Sequence, residues 1–223
     1  MPAIDFLQRN RDQHLEELKE WLRIPSVSAK SEHKGDTARA AEWLAGRMRE
    51  AGLQTVEVIP TAGHPVVLGE WRGAPAGAPT LLVYGHYDVQ PPEPLDEWTS
   101  APFEPEVRDG NLYARGSVDD KGQVYLHVKA VQALLADGGI LPANVVFVIE
   151  GEEEVGSPNL ARFLQQNASR LACDAVLISD TTMFAPGLPS ITTEPRAKRL
   201  PSRTSGSNGA LVHSSRGSAG CTS

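Results

Sequence analysis

The stretch Asn144–Ile149, with the sequence NVVFVI, constrains the fold of this chain of 223 residues more than any other. Its five apolar residues stand side by side without polar alternation, and four of them are β-branched. Such a run is typical of a strand that is covered on both faces, as in a parallel sheet between helices. Because other strand-like and helix-like segments alternate along the chain, we predict an α/β domain with a mostly parallel central sheet flanked by helices.

The remaining elements follow from hydrophobic periodicity and from capping residues. We expect Asp36 and Ser157 to cap the helices that they precede, because short polar side chains accept hydrogen bonds from the first turn of a helix. The helices predicted in this way are Ile4–Arg23, Asp36–Ala51, Lys121–Ala136 and Pro158–Gln166. The further strands are Thr55–Ile59, Pro65–Trp71, Thr80–Tyr84, Asn111–Ala114 and a second buried strand, Asp174–Ser179, whereas Gln90–Pro105 is predicted to be a loop.

Composition excludes several classes of protein. The formal net charge of −7 argues against a nucleic-acid-binding surface. Two cysteines do not form a disulfide framework of the kind found in small secreted domains. The sequence has neither a signal-peptide pattern at its start nor an apolar run long enough to span a membrane. A soluble protein of the cytoplasm that has no nucleic-acid or membrane partner is therefore expected.

Carboxylates and one histidine follow the predicted strands at four places. These residues are His86 and Asp88, then Asp119 and Asp120, then Glu150, Glu152, Glu153 and Glu154, and finally Asp180. In α/β sheets the ligand site lies beyond the carboxyl ends of the strands. Buried like charges repel each other unless a cation lies among them, and only Arg115 and Lys121 are basic residues close by in sequence. Histidine with carboxylates is a set of ligands that suits zinc.

Each of these signals also has an ordinary structural explanation. A single histidine at the end of a strand is more often structural than a metal ligand, and a run such as EGEEE is usually solvated surface. Asp119 and Asp120 precede a predicted helix, so they could simply cap it. The joint placement of all four groups after strands nevertheless favours a metal site.

Four motifs, YGHYDVQP, YARGSVDDKG, EGEEEVGS and ISD, together resemble the M20 family of metallopeptidases. The resemblance is to its dipeptidase branch, the group of the cytosolic nonspecific dipeptidase and carnosinase, and it covers about residues 5–193. The order of the motifs fits, with 119 − 86 = 33 residues from His86 to Asp119 and 153 − 119 = 34 from Asp119 to Glu153. The resemblance implies a di-zinc exopeptidase-like catalytic domain.

The resemblance also implies a role for each motif residue. Asp119 would bridge two zinc ions, Glu153 would be the general base, and Asp88 would orient His86. His86 and Asp180 would bind one of the ions, and Glu154 would bind the other. The peptide bond between Asp119 and Asp120 would be cis. The four implied metal ligands are His86, Asp119, Glu154 and Asp180.

The implied reaction is hydrolysis of the peptide bond of a dipeptide or short peptide by a hydroxide bound to two Zn²⁺ ions. Mn²⁺ or Co²⁺ could replace zinc in a site rich in carboxylates. The alternatives are an N-acyl amino acid deacylase or desuccinylase of the same family, and a catalytically inactive fragment.

The chain departs from the family pattern after Thr193. Family members are about twice as long and supply one more zinc-binding histidine, a lid domain and, through that domain, a homodimer; nothing in this sequence matches these parts. Residues 194–223 are rich in Ser, Gly and Arg, so we expect a disordered tail of low complexity. It is either a natural flexible tail or the result of a frameshift or truncation, and we favour the second explanation. His213 lies in this tail and is not a candidate ligand. Residues 1–193 would then be the N-terminal part of the catalytic domain, with an incomplete sheet and an exposed apolar edge.

Overall fold

The computed structural model describes residues 2–181 and Ala185. Its helices are α1 (Ala3–Arg9), α2 (Arg11–Leu22), α3 (Lys34–Glu50), α4 (Lys121–Gly138) and α5 (Leu160–Gln166). Its strands are β1 (Thr55–Ile59), β2 (Val66–Trp71), β3 (Thr80–His86), β4 (Glu106–Arg108), β5 (Asn111–Tyr113), β6 (Asn144–Glu150) and β7 (Ala175–Ile178). Single 3₁₀ turns lie at Ser31–His33, Leu95–Glu97 and Glu153–Val155.

The central sheet has the strand order β1-β2-β6-β3-β7, and β4 and β5 form a separate hairpin. Strand β3 pairs in parallel with both β6 and β7, whereas β2 is antiparallel to both of its neighbours. Four of the five strands therefore run in one direction, with β2 alone reversed. The predicted α/β class with a mostly parallel sheet is confirmed.

Strand β6 lies at the centre of the sheet, and both of its faces are covered. Phe147 belongs to a core with Trp21 of α2 and Leu44 of α3. Val148 belongs to a second core, which contains Phe163 of α5. Alternate side chains of one strand thus enter two different cores, as its unbroken apolar run predicts.

Buried Lys121 joins the end of α2 to the start of α4. Its Nζ atom donates hydrogen bonds to the carbonyl oxygens of Trp21, at 3.1 Å, and Ile24, at 2.7 Å. It also lies 5.7 Å from the centre of the Trp21 ring. Burial lowers the pKa of this amine to about 7. Lys121 therefore stabilises the carbonyl groups at the end of α2 and does not neutralise the acidic cluster.

Three predictions about helices differ from the structure: one helix is broken in two, and two capping residues are wrong. The helix predicted over residues 4–23 breaks at Asn10, whose side-chain amide donates to the Phe6 carbonyl at 2.8 Å and so competes with the helical pattern. Asp36 lies inside the first turn of α3, where its carboxylate contacts His33 Nδ1 at 2.7 Å. Ser157 does not cap α5, because Asn159 stands at that position and the Ser157 hydroxyl bonds to Glu150.

The prediction that Asp174–Ser179 is a buried strand is wrong. In the described residues β7 pairs with β3 alone, and the side chains of Val176 and Ile178 are 55% and 52% exposed. It is an apolar strand at the edge of this sheet, and no other element of residues 2–181 covers it. The preceding Cys173 is likewise an exposed free thiol.

Two smaller features complete the description of residues 2–181. Strand β4 is absent from the sequence prediction, since its three residues EVR are mostly polar. None of the helices in this range has the length and hydropathy needed to cross a membrane. The predicted tail at 194–223, with His213, lies outside the described residues.

Candidate metal centre

The candidate site lies at the carboxyl ends of three adjacent parallel strands. His86 is the last residue of β3 and stands opposite Glu150, the last residue of β6. Asp180 follows β7 by two residues. Because parallel strands end at the same edge of a sheet, side chains far apart in sequence meet there.

Three of the four predicted ligands come together. One ligand atom each from His86, Asp119 and Asp180 lie within 4.8 Å of one another. His86 Nε2 is 3.0 Å from Asp119 Oδ1 and 3.7 Å from Asp180 Oδ2. Glu154, the fourth, is not in this group; its carboxylate instead accepts a hydrogen bond of 2.6 Å from Gln90 Nε2.

The hydrogen bonding of His86 leaves its Nε2 atom free to bind a metal. Nδ1 lies 3.0 Å from the carbonyl oxygen of Asp88, which can only accept, so Nδ1 carries the proton. Nε2 is fully buried and has no hydrogen-bond partner among the described residues. Its lone pair therefore faces carboxylate oxygens, and a cation is needed between them.

The spacing of these atoms fits zinc. Zinc bonds of about 2.0–2.1 Å at tetrahedral angles place two ligand atoms about 3.3 Å apart. The distances from His86 Nε2 to the nearest oxygens of Asp119 and Asp180 lie on either side of that value. The residues present thus fit a metal ion in both chemistry and separation.

Charge in the site raises or lowers several pKa values. Burial alone would lower the pKa of His86, but Asp119, Asp180 and Asp88 raise it well above its ordinary value. The neighbouring His86 in turn lowers the pKa of Asp119. A proton and a metal ion would therefore compete for the same nitrogen.

Asp88 is the residue that connects the histidine to the two glutamates. Its buried carboxylate accepts hydrogen bonds from the backbone N–H groups of Glu153, at 3.2 Å, and Glu154, at 3.1 Å. The Ser28 hydroxyl donates a third bond of 2.6 Å. The same carboxylate lies 3.4 Å from His86 Nδ1, farther than the Asp88 carbonyl. Asp88 therefore contacts His86 mainly through its backbone and holds the glutamate turn through its side chain.

The turn Glu153–Val155 separates two neighbouring carboxylates. A carboxylate oxygen of Glu153 lies 4.0 Å from His86 Nε2, whereas Glu154 points to Gln90. Burial raises the pKa of both, that of Glu154 to about 7. Gly151 precedes this turn and packs closely against Tyr87, because a Cβ there would lie 2.3 Å from the Tyr87 hydroxyl. The two glutamates can thus take different tasks, as the sequence suggests.

Asp119 and Asp120 lie on opposite sides of a cis peptide bond, as the family resemblance implies. Asp119 is exposed and directs its carboxylate to His86. Asp120 is buried, and its Oδ2 accepts a hydrogen bond of 3.2 Å from the His86 backbone N–H. Burial raises the pKa of Asp120 to about 7. Asp120 thus fixes the backbone that carries the histidine.

The nearby basic side chains do not neutralise these acids through direct ion pairs within the described range. Arg115 donates to the Pro91 carbonyl at 3.1 Å and stacks over Trp98. Lys121 bonds to backbone carbonyls, as described above. His127 of α4 contacts Ser179 Oγ at 2.6 Å and is not in the ligand group.

Sequence reasoning missed several supporting residues. Gln90 directly follows the GHYDV segment, so its position next to the motif was an available signal. Ser28 is 60 residues from Asp88, and no pattern in the sequence connects the two. Tyr84 and Ser157 both bond to Glu150, which the sequence groups only as one acid among several.

Comparison with known proteins identifies the same family. The profile of the peptidase family M20/M25/M40 matches residues 82–218. The chain is 33% identical over 192 residues to the cysteinylglycine-S-conjugate dipeptidase of Corynebacterium striatum, covering 85% of this chain and 42% of that protein. It is 31% identical over 204 residues to the human Beta-Ala-His dipeptidase, covering 85% of this chain and 40% of that one.

The fold agrees with these matches. The solved structure of the dipeptidase Dug1p from Saccharomyces cerevisiae superimposes with a TM-score of 0.75 at 27% identity, covering 82% of this chain and 41% of that one. The chain spans about two fifths of the length of the curated relatives it matches. The profile match extends over more than half of the sequence, and on that ground the chain belongs to the peptidase family M20/M25/M40.

Proposed function

We propose that this chain carries the metal site of a dipeptidase that hydrolyses the peptide bond of dipeptides or short peptides with two zinc ions. The observation that supports this most strongly is the buried Nε2 of His86, which has no hydrogen-bond partner in the described residues and faces Asp119 and Asp180. Family membership supports the reaction class. The chain's relatives include proteins named as dipeptidases, which supports the substrate class.

His86, Asp119 and Asp180 would hold one zinc ion, and Asp119 with Glu154 would hold the second. One nitrogen with several carboxylate oxygens suits zinc, and Mn²⁺ or Co²⁺ would also be accepted. When bound, the ions polarise the scissile carbonyl and lower the pKa of water. Asp119 is suited to the shared position because its side chain is 57% exposed although Oδ1 lies 3.0 Å from His86 Nε2.

Glu153 would be the general base. Its carboxylate lies near His86 Nε2, at 4.0 Å, but outside the group of three ligands. Its pKa is raised by burial, which strengthens it as a proton acceptor. Glu153 would take a proton from the attacking water and give it to the leaving amine, while Asp88 holds the backbone of the turn in place.

The test compares Glu153→Gln with Glu152→Gln in the zinc-loaded chain. Glu152 is a matched control because its carboxylate bonds to Asn159 and belongs to neither proposed metal. We expect Glu153→Gln to lower kcat for Cys-Gly and β-Ala-His by at least about 100-fold with unchanged zinc content, and Glu152→Gln to retain activity. Equal loss in both variants would contradict the role of Glu153.

Two further results would favour the alternatives. Faster hydrolysis of N-succinyl-diaminopimelate than of either dipeptide would favour the desuccinylase. Two bound zinc ions without hydrolysis of any substrate would favour an inactive fragment. Absence of zinc binding by the wild-type chain would overturn the proposed function itself.

We also propose a cytoplasmic location and neither nucleic acid nor a membrane as partner. The net charge of −7 and the exposed free thiol of Cys173 support this, since exposed thiols persist in reducing compartments. A homodimer rests on the family resemblance alone. Light scattering of the purified chain measures whether it forms one.

A further inference from the structure

The buried carboxylate of Glu150 joins two parts of the candidate site. One of its oxygens accepts hydrogen bonds from the Tyr84 hydroxyl, at 2.6 Å, and from the Ser157 hydroxyl, at 2.8 Å. Tyr84 lies on β3, two residues before His86, and therefore on the same face of the strand. Ser157 lies just beyond the turn that carries Glu153. One carboxylate thus connects the strand of the histidine with the segment of the glutamates.

Ser157 has a backbone conformation that this hydrogen bond helps to maintain. Its φ is +51°, and that of the preceding Gly156 is +87°. A residue with a side chain rarely adopts this left-handed conformation unless its surroundings enforce it. The Ser157 N–H bonds to the Glu152 carbonyl at 2.8 Å, and its hydroxyl bonds to Glu150. These two bonds close the segment 150–157 on itself.

Two buried carboxylates hold the closed segment near its two ends. Asp88 accepts the N–H groups of Glu153 and Glu154 at the start of the 3₁₀ turn. Glu150 holds the end of the segment through Ser157. Gln90 and Asn159 also donate to Glu154 and Glu152. Loss of the Asp88 or the Glu150 contact would therefore weaken, rather than abolish, the attachment of the turn and would let its glutamates shift relative to His86.

We propose that Glu150, with Tyr84 and Ser157, is a positioning group that fixes Glu153 and Glu154 relative to His86 for metal binding and hydrolysis. This role rests on the proposed function. Carboxylates that support metal ligands from behind typically change metal affinity 10–100-fold when they are lost. Nothing in this role requires Glu150 to touch a metal or the substrate.

The chain contains a matched control for the Tyr84–Glu150 bond. The hydroxyl of Tyr125 donates to Glu17 at 2.6 Å, the same distance, in a buried contact between α4 and α2. Neither residue belongs to the candidate site. Tyr84→Phe and Tyr125→Phe each remove one hydroxyl that is bonded to a buried glutamate, so general loss of stability affects both variants similarly.

The first measurement is amide hydrogen exchange of the metal-free chain. In Tyr84→Phe and Ser157→Ala we expect about fivefold faster exchange in peptides that contain residues 151–157, the effect of one lost hydrogen bond. In Tyr125→Phe these peptides should exchange as in the wild type. Unchanged exchange in Tyr84→Phe and Ser157→Ala would overturn the proposal.

The second measurement is zinc affinity by competition with a chromophoric chelator. Tyr84→Phe should weaken zinc binding about tenfold and Tyr125→Phe less than about twofold. Glu150→Gln should stay near the wild type, because its amide oxygen accepts both hydroxyls, whereas Glu150→Ala should resemble Tyr84→Phe. Equal affinities in Tyr84→Phe and Tyr125→Phe would overturn the positioning role alone. A wild type that binds no zinc would overturn the proposed function and this role with it.

Discussion

His86 Nε2 lies 3.0 Å from Asp119 Oδ1, yet no hydrogen bond joins the two atoms. The proton of the imidazole is on the other nitrogen, where the Asp88 carbonyl accepts it. When the imidazole is neutral, two groups that both offer lone pairs therefore stand face to face, which is unfavourable unless a proton or a metal ion lies between them.

We expect His86→Asn to weaken zinc binding by at least about 100-fold, because it removes the only nitrogen of the ligand group. The control is His127→Asn, which replaces a half-buried histidine bonded to Ser179. It should change the zinc dissociation constant by less than about twofold. Chelator competition measures both, and similar losses in the two variants would contradict the assignment of His86.

Asp88→Asn should destabilise the glutamate turn. An amide has one oxygen in place of two, and its N–H₂ group would face the N–H of Glu153 or Glu154. We expect a loss of roughly 2 kcal/mol in the free energy of unfolding, measured by urea denaturation. Ser28→Ala removes only one of the three donors and should cost roughly 1 kcal/mol. A larger loss for Ser28→Ala than for Asp88→Asn would contradict this account.

Gly85→Ala should destabilise the chain and weaken zinc binding together. A Cβ at Gly85 would lie 2.5 Å from Asp120 Oδ2 and 2.7 Å from a methyl carbon of Val124. Asp120 would have to move, and it holds the backbone of His86. We expect a loss of about 1–3 kcal/mol in thermal or chemical unfolding.

The matched control for that change is Gly46→Ala in α3. No atom lies within 4 Å of a Cβ at Gly46, apart from its own helix. Alanine is favoured over glycine inside a helix by about 0.5–1 kcal/mol, so Gly46→Ala should stabilise the chain. Equal effects of the two substitutions would show that the contact with Asp120 does not matter.

Acid should remove the stabilising effect of Glu17. Burial alone would raise the pKa of Glu17, but Lys129, Tyr125 and Gln13 lower it to about 2. A carboxylate with a lowered folded-state pKa contributes stability above its unfolded pKa of about 4.5, and that contribution is lost as the pH falls towards 2. Glu17→Gln should therefore cost roughly 2 kcal/mol at pH 7 and much less at pH 2. Urea denaturation at both pH values checks this, and a pH-independent difference would contradict it.

The fold could be predicted where the chain's own pattern decides the structure. The run NVVFVI indicates a strand buried on both faces, and β6 is such a strand. The break at Asn10 could not be predicted, because it depends on one side-chain hydrogen bond to Phe6 that competes with a good helical pattern. The family resemblance implies an incomplete sheet with an exposed apolar edge, but composition does not show that Val176 and Ile178 of β7 lie at that edge.

The residues that form the site could be predicted from the sequence better than the contacts between them. His86, Asp119 and Asp180 lie together as their motifs suggest, whereas Glu154 lies outside that group. Their roles as ligands, and that of Glu153 as base, stay predictions. The support from Ser28 depends on contacts between distant segments, which no local pattern encodes.

The hydrogen bonds of Lys121 have a consequence for synthesis of the chain. The carbonyl of Trp21 leaves the ribosome 100 residues before the amine that binds it. At a synthesis rate of about 5–20 residues per second, Lys121 is added roughly 5–20 seconds after Trp21. During that interval Trp21, which is fully buried in the folded chain, has no native cover from α4. Trp21 is therefore expected to stay exposed in the nascent chain until α4 has been synthesised.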